Sequence, residues 1–111
     1  MFFFEREGNM KKKDLISLDE LLNILEKRKM AFKEKFGVTS IGVFGSLVRG
    51  EHRHDSDVNI VIKMSKPDLF NMVHIKEELE ADCKRKVDIV HYREKMNTFL
   101  KKRIDIEAVY V

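Results

Sequence analysis

Apolar side chains recur at helical spacing from Leu18 to Phe36, and Gly37 then ends the run. Immediately before this run, Ser17 and Glu20 have the Ser-x-x-Glu spacing of a capping box, in which each side chain accepts a hydrogen bond from the other residue's backbone N–H. The pattern therefore predicts one long amphipathic helix that starts after Ser17. Its predicted apolar face comprises Leu18, Leu21, Leu22, Leu25, Phe32 and Phe36.

Three later segments have the composition or the alternation of β-strands. Residues 38–44 are rich in β-branched and aromatic side chains and lead into Gly45-Ser46, which predicts a buried strand that ends at a tight turn. Residues 57–62 alternate between two faces, and residues 87–91 form a third predicted strand. The two faces of the alternating segment carry Val58, Ile60 and Ile62 on one side and Asp57, Asn59 and Val61 on the other.

Two more helices and a terminal strand complete the pattern. We expect a helix that begins at Pro67, a last helix over residues 96–104, and a final strand within residues 108–111. The apolar positions predicted to share one side of the Pro67 helix are Leu69, Met72, Val73 and Leu79.

The order of strand, helix and strand relates the second strand to the third. A right-handed crossover through a helix joins parallel strands, so we expect residues 57–62 and 87–91 to run parallel, either as neighbours or with one strand between them. The predicted fold class is therefore α/β (α+β), with a small mixed sheet packed by helices.

Length and composition indicate one compact, folded domain. The chain has 111 residues, of which 43% are hydrophobic and 37% charged, which is typical of a well-solvated folded protein. Met10 is followed by three lysines and resembles a second start site. We therefore expect residues 1–13 to be a flexible N-terminal extension and residues 14–111 to be the domain.

Composition also argues against several classes of protein. No apolar run approaches the ~20 residues that span a bilayer, so we expect no membrane segment and a cytoplasmic location. The single Cys83 cannot form an internal disulfide and has no CxxC partner for zinc. A net charge of +3 gives only weak support for nucleic-acid binding.

Polar side chains from two strands are predicted to converge at one end of the sheet. If the second and third strands are parallel, Asp57 and Asn59 near the start of one meet Asp88 near the start of the other. Two carboxylates and an amide oxygen suit Mg²⁺, which keeps several waters and shares the phosphates of a nucleotide. The Gly45-Ser46 turn offers backbone N–H groups and a hydroxyl to such phosphates.

Each of these signals is weak alone, but their combination resembles a known family. The run from Gly45 to Gly50, the ten residues between Ser46 and Asp57, the strand Asp57-Val58-Asn59 and the later Lys86-Val87-Asp88-Ile89-Val90 are similar to the minimal nucleotidyltransferase (MNT) family of the DNA polymerase beta superfamily. That family has Gly-Ser, about ten residues, Asp-x-Asp, and a third Asp on a later strand. The resemblance extends from the capped helix to the C-terminus and implies the nucleotidyltransferase fold.

The resemblance implies a role for each matching position. Gly45 and Ser46 bind phosphate in the family, Asp57 is a catalytic metal ligand, and Asp88 is the third carboxylate, which aids hydroxyl activation. Asn59 departs from the family, because a neutral amide offers a metal one oxygen but removes a negative charge. A natural low-activity variant, a nucleotide-binding domain without catalysis, and a deliberate Asp-to-Asn substitution remain open.

The loop beside the turn allows alternative interpretations. Arg49 either reaches the triphosphate as a nucleotide-binding residue or braces the loop against Asp55 or Glu51. His52 and His54 flank a cation and lack further zinc ligands, so we interpret them as surface residues.

The resemblance also implies a function. A domain this small has little surface for recognising a small acceptor, so we expect a macromolecular one. Similar domains act as antitoxins of HEPN ribonuclease toxins, which they bind and adenylylate on a tyrosine. We therefore expect AMP transfer from ATP (or another nucleoside triphosphate), with Mg²⁺ or Mn²⁺, to a HEPN-family partner.

Two alternatives belong to other classes of protein. The first is an antitoxin that acts by binding alone, because Asn59 impairs its site. The second is a nucleic-acid-binding module, which ranks third because interleaved aromatic residues and a strong positive charge are lacking. A homo-oligomer is left open.

Overall fold

A computed structural model describes residues 16–51 and 57–111 of the chain. The predicted N-terminal extension (residues 1–13), the predicted start of the domain at residue 14, and the loop histidines His52 and His54 lie outside the described residues. In chain order the elements are α1 (Leu18–Phe36), β1 (Val38–Phe44), α2 (Ser46–Arg49), β2 (Val58–Met64), α3 (Leu69–Cys83), β3 (Val87–His91), α4 (Thr98–Glu107) and β4 (Val109–Tyr110).

The four strands form one mixed sheet in the order β3-β2-β1-β4. β1 is antiparallel to both β2 and β4, whereas β2 and β3 are parallel neighbours. The predicted fold class and the predicted parallel pair are confirmed. These directions mean that β1 ends at the same end of the sheet at which β2, β3 and β4 begin.

The first helix follows from its caps and its apolar face. The Ser17 Oγ accepts from the Glu20 N–H at 3.0 Å, and the Glu20 Oε1 accepts from the Ser17 N–H at 2.9 Å, which completes the predicted capping box. At the other end, Gly37 has a φ of 72° and caps the helix in the left-handed conformation. Three side chains of the predicted face are fully buried: Leu21, Leu25 and Phe32.

Helices cover both faces of the sheet. The larger core joins α1 and α3 to one face of β2, from which Val58, Ile60 and Ile62 project. Val61 projects from the opposite face into a smaller cluster with Phe44 and the α4 residue Ile104. The predicted alternation is confirmed, and Asn59 shares its face with Val61.

The prediction for α3 was wrong in two respects. The helix begins at Leu69 rather than Pro67, because the Asp68 carboxylate caps it by accepting from the backbone N–H groups of the next turn. Its buried side chains are Ile75, Leu79 and Cys83, whereas Leu69 and Val73 are exposed. Val73 lies about 160° around the helix from Ile75 and cannot reach the sheet.

The last helix is also displaced from its prediction. It covers Thr98–Glu107 rather than residues 96–104, because the Asn97 side chain accepts from the Leu100 N–H at 3.0 Å and sets the start. The terminal strand within residues 108–111 is confirmed as β4. Among the described residues, no helix is both long and apolar enough to cross a membrane.

Candidate functional site

The predicted site residues converge at the end of the sheet where β1 stops. Phe44 pairs with Asn59 across β1 and β2, and Asn59 pairs with Asp88 across β2 and β3. Gly45 directly follows β1, and Asp57 directly precedes β2. The structure therefore brings the Gly-Ser turn and the three polar side chains together on three adjacent strands.

The three polar side chains are available to a ligand. Asp57 and Asp88 are exposed and Asn59 is half-buried, and none of the three forms a hydrogen bond or ion pair with the described residues. An open cleft of about 590 Å³ has both carboxylates in its wall. Its other lining residues are Lys76, Glu80, Arg85, Lys86 and Val87.

These side chains fit a hard divalent cation of the Mg²⁺ type. Asp57, Asn59 and Asp88 offer oxygen ligands, which such ions prefer. The open cleft, whose wall contains Asp57 and Asp88 but not Asn59, leaves room for water and phosphate oxygens beside the two carboxylates. Within residues 16–51 and 57–111, no three His, Cys, Asp or Glu side chains group as metal ligands. The three candidate ligands therefore bring two carboxylate charges to a cation, in a cleft whose wall also carries Glu80 and three basic side chains.

The turn after β1 requires glycine. Gly45 has φ 90° and ψ −154°, a conformation that residues with a side chain rarely adopt. A Cβ atom at this position would lie 2.3 Å from the Nδ2 atom of Asn59. The amide of Asn59 thus packs directly against the turn, and Ser46 follows as the first residue of the short helix α2.

Arg49, at the end of α2, pairs with two carboxylates, whereas Asp55, the other predicted partner, lies outside the described residues. Its Nε donates to Glu51 at 3.0 Å, as one of the two interpretations predicted, and its NH1 donates to both carboxylate oxygens of Glu107 at 3.1–3.2 Å. The hydrogen bonds to Glu51 and then Glu107 raise the pKa of the Arg49 guanidinium above its usual value.

Sequence reasoning missed two acidic residues of this region. Glu107 accepts from the backbone N–H of Gly45 at 2.6 Å. Glu80, on α3, accepts from the backbone N–H of Val87 at 3.0 Å and fixes the strand next to Asp88. Only the pairing of β4 with β1 brings Glu107 to the turn, and the local pattern around residue 107 gives no signal of it.

Comparison with known proteins identifies the family. Residues 26–111 match the family described as polymerase beta, nucleotidyltransferase. The chain belongs to this nucleotidyltransferase family. The predicted resemblance is confirmed.

Relatives and solved structures agree with the nucleotidyltransferase assignment. The chain is 43% identical over 77 residues to protein adenylyltransferase MntA of Thermococcus cleftensis, an alignment that covers 68% of this chain and 78% of that protein. It is 36% identical over 75 residues to a protein of Methanocaldococcus jannaschii assigned as a protein adenylyltransferase, with 67% and 87% covered.

Two solved structures share the nucleotidyltransferase fold. A structure assigned as a minimal nucleotidyltransferase superposes with a TM-score of 0.65 at 26% identity, over 86% of this chain and 96% of that one. A toxin–antitoxin crystal structure with AMP-PNP gives a TM-score of 0.64 at 20% identity, over 77% and 69% of the two chains. The first agrees with the MNT family, and the second shows the fold.

Proposed function

We propose that this nucleotidyltransferase transfers AMP from ATP to a tyrosine of a HEPN-family ribonuclease toxin, as the antitoxin of the pair. The observation that carries the proposal is the convergence of Gly45-Ser46 with the side chains of Asp57, Asn59 and Asp88 at one end of the sheet. The likeness to protein adenylyltransferase MntA supports adenylate as the transferred group.

Different residues bind the nucleotide, hold the cation and accept the proton. The Gly45-Ser46 turn binds the phosphates of ATP, and Asp57, Asn59 and Asp88 hold Mg²⁺ or Mn²⁺. When bound there, such a cation would supply positive charge against the phosphates and the departing pyrophosphate. The tyrosine oxygen forms a bond to the α-phosphorus as the bond from that phosphorus to the pyrophosphate oxygen breaks, and the hydroxyl proton passes to the Asp88 carboxylate.

Asn59 favours a second candidate function, an antitoxin that acts by binding alone. An amide in the ligand set leaves one negative charge fewer around the cation, and charge neutralisation at the phosphates depends on that cation. In this alternative the cleft still binds nucleotide, but transfer is too slow to matter.

The substitution Asn59→Asp separates the two candidates. One added unit charge about 4 Å from a divalent cation contributes about 2 kcal/mol at the dielectric constant of water, or roughly thirtyfold in cation affinity. We expect tighter Mg²⁺ binding and faster transfer of radiolabel from ATP to a co-expressed HEPN-family protein. Asp57→Ala should abolish transfer in either background.

A matched control is Asn23→Asp, which adds the same charge at an exposed position on α1. It should change neither cation affinity nor transfer. Equal transfer by the unaltered chain and by Asn59→Asp would mean that the amide suffices as a ligand. No transfer even by Asn59→Asp would leave the binding-only antitoxin as the function.

A further inference from the structure

The side chain of Glu107 connects the C-terminal helix to the turn that ends β1. Its Oε2 accepts from the Gly45 N–H at 2.6 Å and from the Arg49 NH1 at 3.1 Å, and its Oε1 accepts from the same NH1 at 3.2 Å. The Glu107 side chain is only 13% exposed. A carboxylate this enclosed, bonded to both a backbone N–H and a guanidinium, has a fixed position.

Gly45 needs such a partner because of where it lies. Pairing between β1 and β2 ends at Phe44, so the Gly45 N–H lies beyond the β1–β2 pairing. Gly45 also has φ 90° and ψ −154°, one of many conformations open to a glycine in an unconstrained loop. The hydrogen bond that the Gly45 N–H donates to Glu107 favours this one and so orders the turn before any ligand arrives.

The charge of Glu107 requires compensation if the neighbouring turn is to bind an anion. A lone carboxylate bonded to Gly45 would repel a triphosphate at the adjacent Ser46. The guanidinium of Arg49 contacts both carboxylate oxygens and cancels that charge. Within the pair the two charges cancel. Arg49 also donates to Glu51, but that carboxylate is 65% exposed, so solvent screens its charge.

We propose that Glu107 is a positioning residue for nucleotide binding: it holds the Gly45-Ser46 turn in the conformation that receives the phosphates, and Arg49 neutralises it. This inference rests on the proposed function, which places the phosphates at this turn. Glu107 acts through the turn and contacts no reacting atom.

The variants Glu107→Gln and Glu107→Ala test this role. Gln keeps an oxygen that accepts from the Gly45 N–H but loses the negative charge, whereas Ala removes the acceptor. We expect Glu107→Ala to weaken ATP binding about tenfold to hundredfold, the range for a hydrogen bond to a charged group. Glu107→Gln should stay within about threefold of the unaltered chain, since the acceptor is retained. The maximal transfer rate at saturating ATP should change little, because the turn acts on binding.

Two measurements separate this role from general stabilisation. The amide proton of Gly45, observed by NMR without nucleotide, should move upfield in Glu107→Ala and much less in Glu107→Gln. Glu94→Ala is the matched control, since the Glu94 side chain is 86% exposed and pairs with Lys101 of α4, and it should leave ATP affinity unchanged. If Glu107→Ala unfolds at the assay temperature, Glu107→Asp serves instead: its shorter side chain should also weaken ATP binding.

The outcomes distinguish this inference from the proposed function. If the unaltered chain binds ATP and Glu107→Ala binds it equally well, the positioning role alone is overturned. Equal weakening by Gln and Ala, in proportion to lost thermal stability, would also overturn it. No ATP binding by the unaltered chain would overturn the proposed function and the positioning role together.

Discussion

Replacing Gly45 with alanine tests whether the turn at the end of β1 is built as described. The backbone there has φ 90° and ψ −154°. An added Cβ would lie 2.3 Å from the Nδ2 atom of Asn59 and 3.2 Å from its Cγ. The substitution therefore acts on the backbone conformation and on the packing of a candidate metal ligand at once.

The magnitude is the sum of two terms. Holding a residue with a side chain in this backbone region costs about 1–3 kcal/mol. The steric term is smaller, about 1 kcal/mol, because the nearest atom is the end of a side chain that can rotate away. Gly45→Ala should thus lower the free energy of unfolding by about 2–4 kcal/mol. For a domain of this size that corresponds to a Tm lower by roughly 8–15 °C.

The matched control is Gly50→Ala, measured in the same thermal unfolding assay. Gly50 also has a positive φ, of 76°, but among the described residues no atom beyond its chain neighbours lies within 4 Å of the added Cβ. Gly50→Ala should lower the free energy of unfolding by only about 1 kcal/mol, the cost of the left-handed conformation. Adding Asn59→Ala to Gly45→Ala should remove the steric clash and recover about 1 kcal/mol of the free energy of unfolding. The effects of the two substitutions on stability would then not be additive. Equal Tm losses at Gly45 and Gly50 would refute the described turn.

Two further predictions concern contacts outside the site. Arg28 joins α1 to α3 by donating to both carboxylate oxygens of Asp82 and to Glu78 at 2.6–2.9 Å. These groups are about a third exposed, so Arg28→Ala should lower the free energy of unfolding, measured by urea titration, by about 1–2 kcal/mol. The loss should be smaller at high salt. An unchanged free energy of unfolding would show that the cluster does not stabilise the fold. The hydrogen bond that Tyr92 donates to Asp105 raises the pKa of Tyr92 to about 12, so the fold favours the protonated phenol. This contribution to stability should be complete below pH ~10 and fall between pH ~10 and 12, and the fall should be smaller in Tyr92→Phe.

Local signals explain which elements could be predicted. The bounds of α1 and β1 follow from residues next to them in sequence, the Ser17 capping box and the glycines that end each element. The start of α3 was misplaced because Pro67 and Asp68 both favour a helix start, and the choice between them depends on which one satisfies the first free N–H groups.

Only the part of the candidate site that follows from the direction of the strands could be predicted from the sequence. A right-handed crossover requires that β2 and β3 begin at the same end of the sheet, which places Asn59 and Asp88 at that end. That the two residues are direct partners follows only from the observed pairing of β2 with β3. Glu107 could not be predicted in this way. It meets Gly45 across 62 residues of chain, through a two-residue strand whose pairing partner no periodicity specifies.

Asn59 contacts both parts of the candidate site, the Gly45-Ser46 turn and the strand that carries Asp88. Its side chain packs against Gly45, whose N–H donates to Glu107, and its backbone pairs with that of Asp88. A change at position 59 therefore alters the charge that the candidate site offers to a cation and also the packing behind the Gly45-Ser46 turn. A carboxylate at position 59 would place two negative charges on neighbouring strands about 5 Å apart, which repel each other until a cation lies between them. The amide avoids that repulsion, so the chain with Asn59 should be the more stable of the two without metal and the weaker in binding it.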